Sequence, residues 1–212
     1  MTLREQAYES FTEQLLTRRI APGQFVSQRE LVKLTGMPLG AIREMIPRLE
    51  ADGLIRPVAH RGLQILQVDI GLIRNAFQLR LLLEREAVRN FAVAALDEEI
   101  EDLRQRHLDT RAAALNGVSG ALLANAQQMD WDMHDRMIDA LGNSLISAIY
   151  RTNSIKIRLI RNEDTRMLPG LVVSVMDEHL ALIDALATRN PDLAQTALEA
   201  HLDSAKQRAV RV

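Results

Sequence analysis

The sequence predicts a mainly α chain of two domains: a small one of short helices closed by a β-hairpin over residues 1–68, and an all-α antiparallel helical bundle over 69–212. Three observations carry this. Apolar residues recur three and four apart in short stretches over residues 3–53, each stretch cut off by glycine or proline. Two alternating runs then flank a glycine-bearing tip within residues 54–68. From Asp69 onward only helical periodicity is visible, with no strand signal.

Taken in order, Tyr8, Phe11 and Leu15 mark the buried face of a helix running from Leu3 to about Arg19. Ala21-Pro22-Gly23 stops it, because proline cannot continue the hydrogen-bond ladder and glycine supplies turn conformations. A second, short helix starts from Ser27, with Glu30 at the capping-box distance and Leu31 and Leu34 as its inner face. Gly36 breaks it. A third begins near Leu39, with Ile42, Met45, Ile46 and Leu49 inward and Gly40 and Arg43 outward, and ends at Asp52-Gly53. Pro47 inside it removes one backbone bond and is expected to kink it. Residues 54–58 and 63–68 read as strands around His60-Arg61-Gly62, and three helices with a hairpin make the winged helix-turn-helix pattern. The helical stretches 69–95, 97–115, 119–141, 143–161, 169–188 and 191–209 make the bundle.

Composition narrows the chemistry. A chain of 212 residues accommodates two compact domains. No apolar run approaches the ~20 residues that crossing a bilayer requires, and the N-terminus lacks a signal-peptide profile, so no membrane partner and a cytoplasmic location are expected. The absence of cysteine excludes disulfides and thiolate ligands, leaving His and carboxylate to hold any metal. The net charge of −2 does not by itself suggest nucleic acid, but residues 1–66 hold nine Lys/Arg against seven Asp/Glu, a local +2 that permits it.

Four ionisable residues fall on apolar helix faces. Asp130 and His134 stand one turn apart, in an arc shared with Leu122, Ala126, Met133, Met137 and Leu141. His179 lies among Val172, Met176, Leu180 and Ile183, and His201 among Ala194, Ala197, Leu198 and Ala205. Residue 190, midway between these two histidines, falls in the turn-forming run Thr188-Arg189-Asn190-Pro191-Asp192, so antiparallel helices would bring both rings to one height. Such groups are either hydrogen-bonded core residues or the ligands of a shared cation. His107, on a polar-looking helix, reads as a surface residue. Arg80 and Glu84 sit in an apolar arc with Ile73, Phe77, Val88 and Phe91, as a buried ion pair or as a clamp for an anionic ligand; Arg158 and Arg161 are weaker candidates for that clamp.

Ile20-Ala21-Pro22-Gly23, Arg29-Glu30-Leu31, Ile42-Arg43-Glu44, Arg48-Leu49-Glu50, Gly53-Leu54-Ile55 and the wing-tip Gly62 resemble the GntR family of bacterial regulators. Arg80 with Leu83-Glu84, Asp130 with His134, Gly142-Asn143, His179 and Ala200-His201-Leu202 resemble the FCD effector domain of its FadR-type subfamily. The resemblance implies a homodimeric repressor or activator on a palindromic double-stranded operator, contacted by Arg29, Arg43 and Gly62 with Gln28, Gly40 and Arg61 beside them. It also implies a divalent ion (zinc, nickel or manganese) on Asp130, His134, His179 and His201, with a small carboxylate metabolite as effector against Arg80 and Glu84. Leu39 departs from the pattern, standing where the family has an arginine that opens the recognition helix. A metal-dependent enzyme is the competing class, disfavoured because no general base is evident beside the cluster and a winged helix would serve it no purpose. A regulator with a purely structural metal is the other alternative.

Overall fold

The structure, a computed structural model, describes residues 1–161 and 168–210. By its internal contacts the chain divides into two compact units, Met1–Ile73 with Ser154–Asn162, and Arg74–Asn153 with Glu163–Val212.

In the first unit, α1 (Leu3–Leu16) is followed by β1 (Phe25–Val26), α2 (Gln28–Thr35), α3 (Leu39–Ala51), β2 (Ile55–Val58) and β3 (Gly62–Ile65). Both α1 and α2 open with capping boxes, from Thr2 with Glu5 and from Ser27 with Glu30, which satisfy amide hydrogens that the first turn leaves without partners. Gly36 closes α2 in the left-handed conformation at φ +69°. The inward faces of α1 to α3 meet in a core of Phe11, Leu15, Ile20, Leu31, Ile42, Met45, Leu49 and Leu54, completed by Leu159 from the 154–162 segment. Tyr8 ties α1 to the end of α3: its hydroxyl donates to Asp52 at 2.7 Å, and the Arg48 guanidinium lies 4.1 Å from the ring centre.

The strands form an antiparallel sheet in the order β1-β3-β2, with Val26 opposite Leu63 and Val58 opposite Gly62. β1 has no counterpart in the sequence reading, since two residues are too few to show alternation. Pro47 lies inside α3, on its exposed side, and the helix continues through it to Ala51. Gly62 has φ +88°, and a Cβ there would lie 2.8 Å from the Val26 carbonyl oxygen. Gly62→Ala therefore forces both a strained backbone and a shift of β1, and is expected to destabilise the first unit by about 1–3 kcal/mol. Urea unfolding of the variant against wild type measures this; an unchanged midpoint contradicts it.

In the second unit the helices are α4 (Ile70–Ala94, from Arg74 onward), α5 (Asp97–Leu115), α6 (Gly120–Asp139), the first part of α7 (Ser144–Arg161), α8 (Val172–Ala187) and α9 (Pro191–Val210). A single 3-10 turn, Pro169–Leu171, precedes α8. The core is mostly aliphatic and thioether, with Phe91 among them: Val88, Phe91, Leu103, Met133, Met137, Leu182, Ile183, Leu186 and Leu198 are all buried. Arg189 turns the chain between α8 and α9 at φ +58°, and its guanidinium donates to the Ala95 carbonyl at 2.6 Å. Asn190 then caps α9, accepting from the amides of Asp192 and Leu193. This hairpin lays α9 back along α8, so that Glu178 meets Arg208 and His179 meets His201. Among the described residues no helix is long and apolar enough to cross a membrane.

Candidate metal centre and candidate nucleic-acid interface

Asp130 and His134 on α6, His179 on α8 and His201 on α9 converge in the interior of the bundle. All four are buried, and one donor atom from each lies within 4.8 Å of the others. His179 Nε2 is 3.1 Å from Asp130 Oδ1, His134 Nε2 is 3.9 Å from the same oxygen, and the Nε2 atoms of His134 and His201 are 3.2 Å apart. The remaining ring nitrogens all face outward to partners. His134 Nδ1 lies 2.8 Å from Glu84 Oε2, and His201 Nδ1 lies 2.9 Å from Glu178 Oε2. His179 Nδ1 lies 3.2 Å from His107 Nε2, and His107 Nδ1 lies 2.6 Å from the Leu103 carbonyl.

These partners assign the tautomers. An ionised carboxylate only accepts, so the protons of His134 and His201 lie on Nδ1, and both Nε2 atoms carry lone pairs. A carbonyl also only accepts, so His107 is protonated on Nδ1 and its Nε2 is an acceptor facing His179 Nδ1. The Nε2 lone pairs of His134 and His201 are thus directed into one small volume together with His179 Nε2 and the Asp130 carboxylate. Facing lone pairs at such distances repel, and a cation shared among them removes the conflict. The donor set, three neutral imidazoles and one carboxylate, suits a divalent transition ion, with the outward nitrogens held as ligating histidines require.

Electrostatics favour the same protonation states. Burial lowers the imidazole of His201 to about 4, against the opposing pull of Glu178, and lowers that of His107 to about 4 with further help from His179. Burial also lowers His134. All three rings are therefore neutral near pH 7, as coordination demands. In the unfolded chain each histidine titrates near 6.5, so between about pH 6.5 and 4 the unfolded chain binds protons that the folded one refuses, and stability falls as pH falls. For the metal-free protein, the urea midpoint is expected to hold above about pH 7 and to decline steadily from about 6.5 towards 4. A midpoint that stays level down to pH 4.5 would contradict this assignment of buried neutral rings.

Arg80 and Glu84 on α4 border the cluster. Arg80 Nε donates to Glu84 Oε1 at 2.6 Å, with both side chains buried, and the Tyr150 hydroxyl from α7 donates to the same oxygen at 2.7 Å. Burial alone would raise the Glu84 carboxyl, but the charge of Arg80 and the hydrogen bonds from His134 and Arg80 outweigh it and hold Glu84 well below the usual carboxylate range. Glu178 is likewise lowered to about 2: burial raises it, and hydrogen bonds from His201 and Arg208 more than offset that. Arg208 grips Glu178 through both terminal nitrogens, at 2.6 and 3.0 Å. Arg158 is only half-buried on α7, and the side chain of Arg161 lies outside the described residues.

His107 corrects the sequence reading: it is fully buried against His179 rather than on the surface. The signal was present in α5, where Ile100, Leu103, His107, Thr110 and Ala114 recur at intervals of three and four, but the charged residues between them obscured it. Tyr150, Glu178 and Arg208 were also missed, and only the adjacency of Glu178 to His179 could have suggested one of them.

In the winged helix, Arg43 projects from the exposed side of α3 and its Nε donates to Gln28 Oε1 at 3.2 Å, joining the starts of α2 and α3. Arg29 and Gly40 are exposed, with open space around Gly40. In the β2–β3 hairpin, Arg61 stacks over Phe25 at 3.7 Å from the ring centre, next to Gly62. His60 at the tip has φ +61°, a turn residue as expected. Leu39, the first residue of α3, is 38% exposed, so an apolar side chain stands on the outer surface of that helix.

The chain is thus a winged helix followed by a helical bundle with a buried, histidine-lined polar centre, and the proteins it is similar to are transcription regulators. Residues 75–204 match the FCD domain family, and the chain belongs to it. It is similar to the HTH-type transcriptional regulator LgoR of Escherichia coli K12, at 25% identity over 207 residues, covering 98% of this chain and 67% of the relative. The fold is that of E. coli McbR/YncC, with a TM-score of 0.73 at 14% identity over 96% of this chain and 95% of that one. It is also that of the metal-free FCD domain of TM0439, with a TM-score of 0.56 at 21% identity over 68% of this chain and 95% of that one.

Proposed function

We propose that the protein binds a palindromic operator as a homodimer, and that a small carboxylate held by Arg80, beside a divalent ion on Asp130, His134, His179 and His201, sets its affinity for DNA. Arg80 carries the effector part of this reading. Its side chain is 2% exposed, its Nε is engaged by Glu84, and its two terminal nitrogens make no hydrogen bond among the described residues. That pair of parallel donors matches a carboxylate in shape and charge, and leaving it unanswered in the interior costs about 1–3 kcal/mol. Glu84 joins the two halves of the site, holding Arg80 with one oxygen and His134 with the other. A bound ion would supply positive charge and open coordination positions for the anion's oxygens; zinc, nickel and manganese all accept this donor set.

The DNA part rests on the helix-turn-helix, whose second helix enters the major groove in proteins of this fold. Gly40 and Arg43 on α3, Gln28 and Arg29 on α2, and Arg61 and Gly62 on the wing form the contact surface. Two-fold symmetry of the dimer would pair half-sites one helical turn apart. Arg43→Ala is expected to weaken operator binding by about 1–3 kcal/mol if it reads a base. Fluorescence anisotropy at fixed salt measures this, and undiminished binding removes Arg43 from the surface. The cytoplasm is the compartment in which such a regulator works.

A thermal-shift screen of small organic acids, run with and without chelator and followed by operator-release assays, tests the reading as a whole. A true effector raises stability by about 2.7 kcal/mol at a hundredfold excess over its dissociation constant. It must also change operator affinity, because only a ligand with different affinities for the two states of the dimer can shift them. A hit that stabilises equally after chelation contradicts the role of the ion.

A further inference from the structure

We infer that His107 is a positioning residue for the metal centre: it accepts a hydrogen bond from His179 Nδ1, so that Nε2 presents its lone pair as a ligand beside Asp130. The inference rests on the metal reading above and concerns the one imidazole of the set whose outward partner is not a carboxylate. His134 and His201 are oriented by Glu84 and Glu178, whereas His179 is oriented by another ring.

The geometry leaves His107 one role. Its Nδ1 is 2.6 Å from the Leu103 carbonyl, four residues back on α5, and a carbonyl cannot donate. The neutral ring therefore carries its proton on Nδ1 and presents a lone pair at Nε2, 3.2 Å from His179 Nδ1. His179 answers by placing its own proton there. Without this acceptor the other tautomer becomes favourable, because a proton on His179 Nε2 would meet Asp130 Oδ1 at 3.1 Å. Two ligands would then close into a hydrogen bond with each other, and an ion would have to break that bond before binding. The Leu103–His107–His179 chain decides between these arrangements from outside the ligand set.

The test uses the full-length protein. In metal-free wild type, long-range proton–nitrogen NMR of the imidazoles is expected to show His179 protonated on Nδ1. In His107→Leu the proton should move to Nε2, and zinc affinity, measured by competition with a chromogenic chelator, should fall about 10–100-fold. His107→Gln, whose amide oxygen can accept from His179, should keep the Nδ1 tautomer and most of the affinity. His179 protonated on Nε2 in wild type overturns the proposal, as does wild-type zinc affinity in His107→Leu. Equal losses in both variants with the tautomer unmoved would reduce His107 to packing and also overturn it. Should His107→Leu fail to fold, the wild-type tautomer and His107→Gln decide. A wild type that takes up no zinc removes the metal centre itself, and this role with it, a failure visible before any variant is made.

Discussion

Wild type is expected to carry about one divalent ion per chain, and His179→Ala to abolish it. The loss should exceed the 10–100-fold typical of an outer partner's removal, because His179 Nε2 faces Asp130 Oδ1 directly at 3.1 Å within the donor cluster. Elemental analysis after dialysis reads the stoichiometry. Stability gives a second readout: an ion at a thousandfold excess over its dissociation constant adds about 4.1 kcal/mol to a protein that binds it only when folded. Wild type should therefore melt well above its chelated form, while His179→Ala should be nearly indifferent to chelator. Equal metal content in the two proteins would remove His179 from the site.

The other large effect is expected from Arg80→Met. Glu84 has no exposure, and its ionisation depends on Arg80 and His134. Removing the guanidinium leaves a buried carboxylate short of its main counter-charge, at a cost of about 3–5 kcal/mol. Adding Glu84→Gln to that variant removes the stranded charge while keeping an oxygen that can still accept from His134 and an amide nitrogen that can donate to the Tyr150 hydroxyl, so the double variant should recover most of the loss. Chemical denaturation of wild type, the single variants and the double variant closes the cycle. If Arg80→Met is within about 1 kcal/mol of wild type, the pair is not the electrostatic unit its geometry describes. The same variant separates stability from function: it should keep its metal and lose its response to carboxylates.

The fold was largely legible because the elements announce themselves locally. Ser27 and Glu30 specify a helix start within four residues, and the caps form as expected. The long apolar stripes of α6, α8 and α9 placed Asp130, His134, His179 and His201 on inner faces, and the turn at Arg189-Asn190 set His179 beside His201. The surroundings of those residues were less visible for a physical reason. Tyr150 reaches Glu84 across 66 residues of sequence, and His107 reaches His179 across 72, so both contacts follow from how helices pack and not from any pattern within one of them. His107 also sits among short or polar neighbours on a helix rich in charge, where a buried stripe is narrow and its period faint. β1 escaped notice for the opposite reason: it exists only as the partner of β3.

The charge inventory around the cluster has a consequence for any anion that approaches it. Asp130 and Glu84 together carry two negative charges against the single positive charge of Arg80, while Glu178 and Arg208 cancel one another. Without an ion the cluster is net negative by one unit, and a carboxylate approaching it meets repulsion that Arg80 offsets only in part. When a divalent cation occupies the four donors, the balance becomes positive by one, in an interior where such fields are poorly screened. The same cluster would then attract what it had repelled. Because the imidazoles already have their outward partners, this inversion needs no refolding of the bundle, unlike metal sites whose ligands assemble only as the chain folds. Under the proposed function, occupancy by the ion would thereby set the sign of the potential that an anionic effector meets.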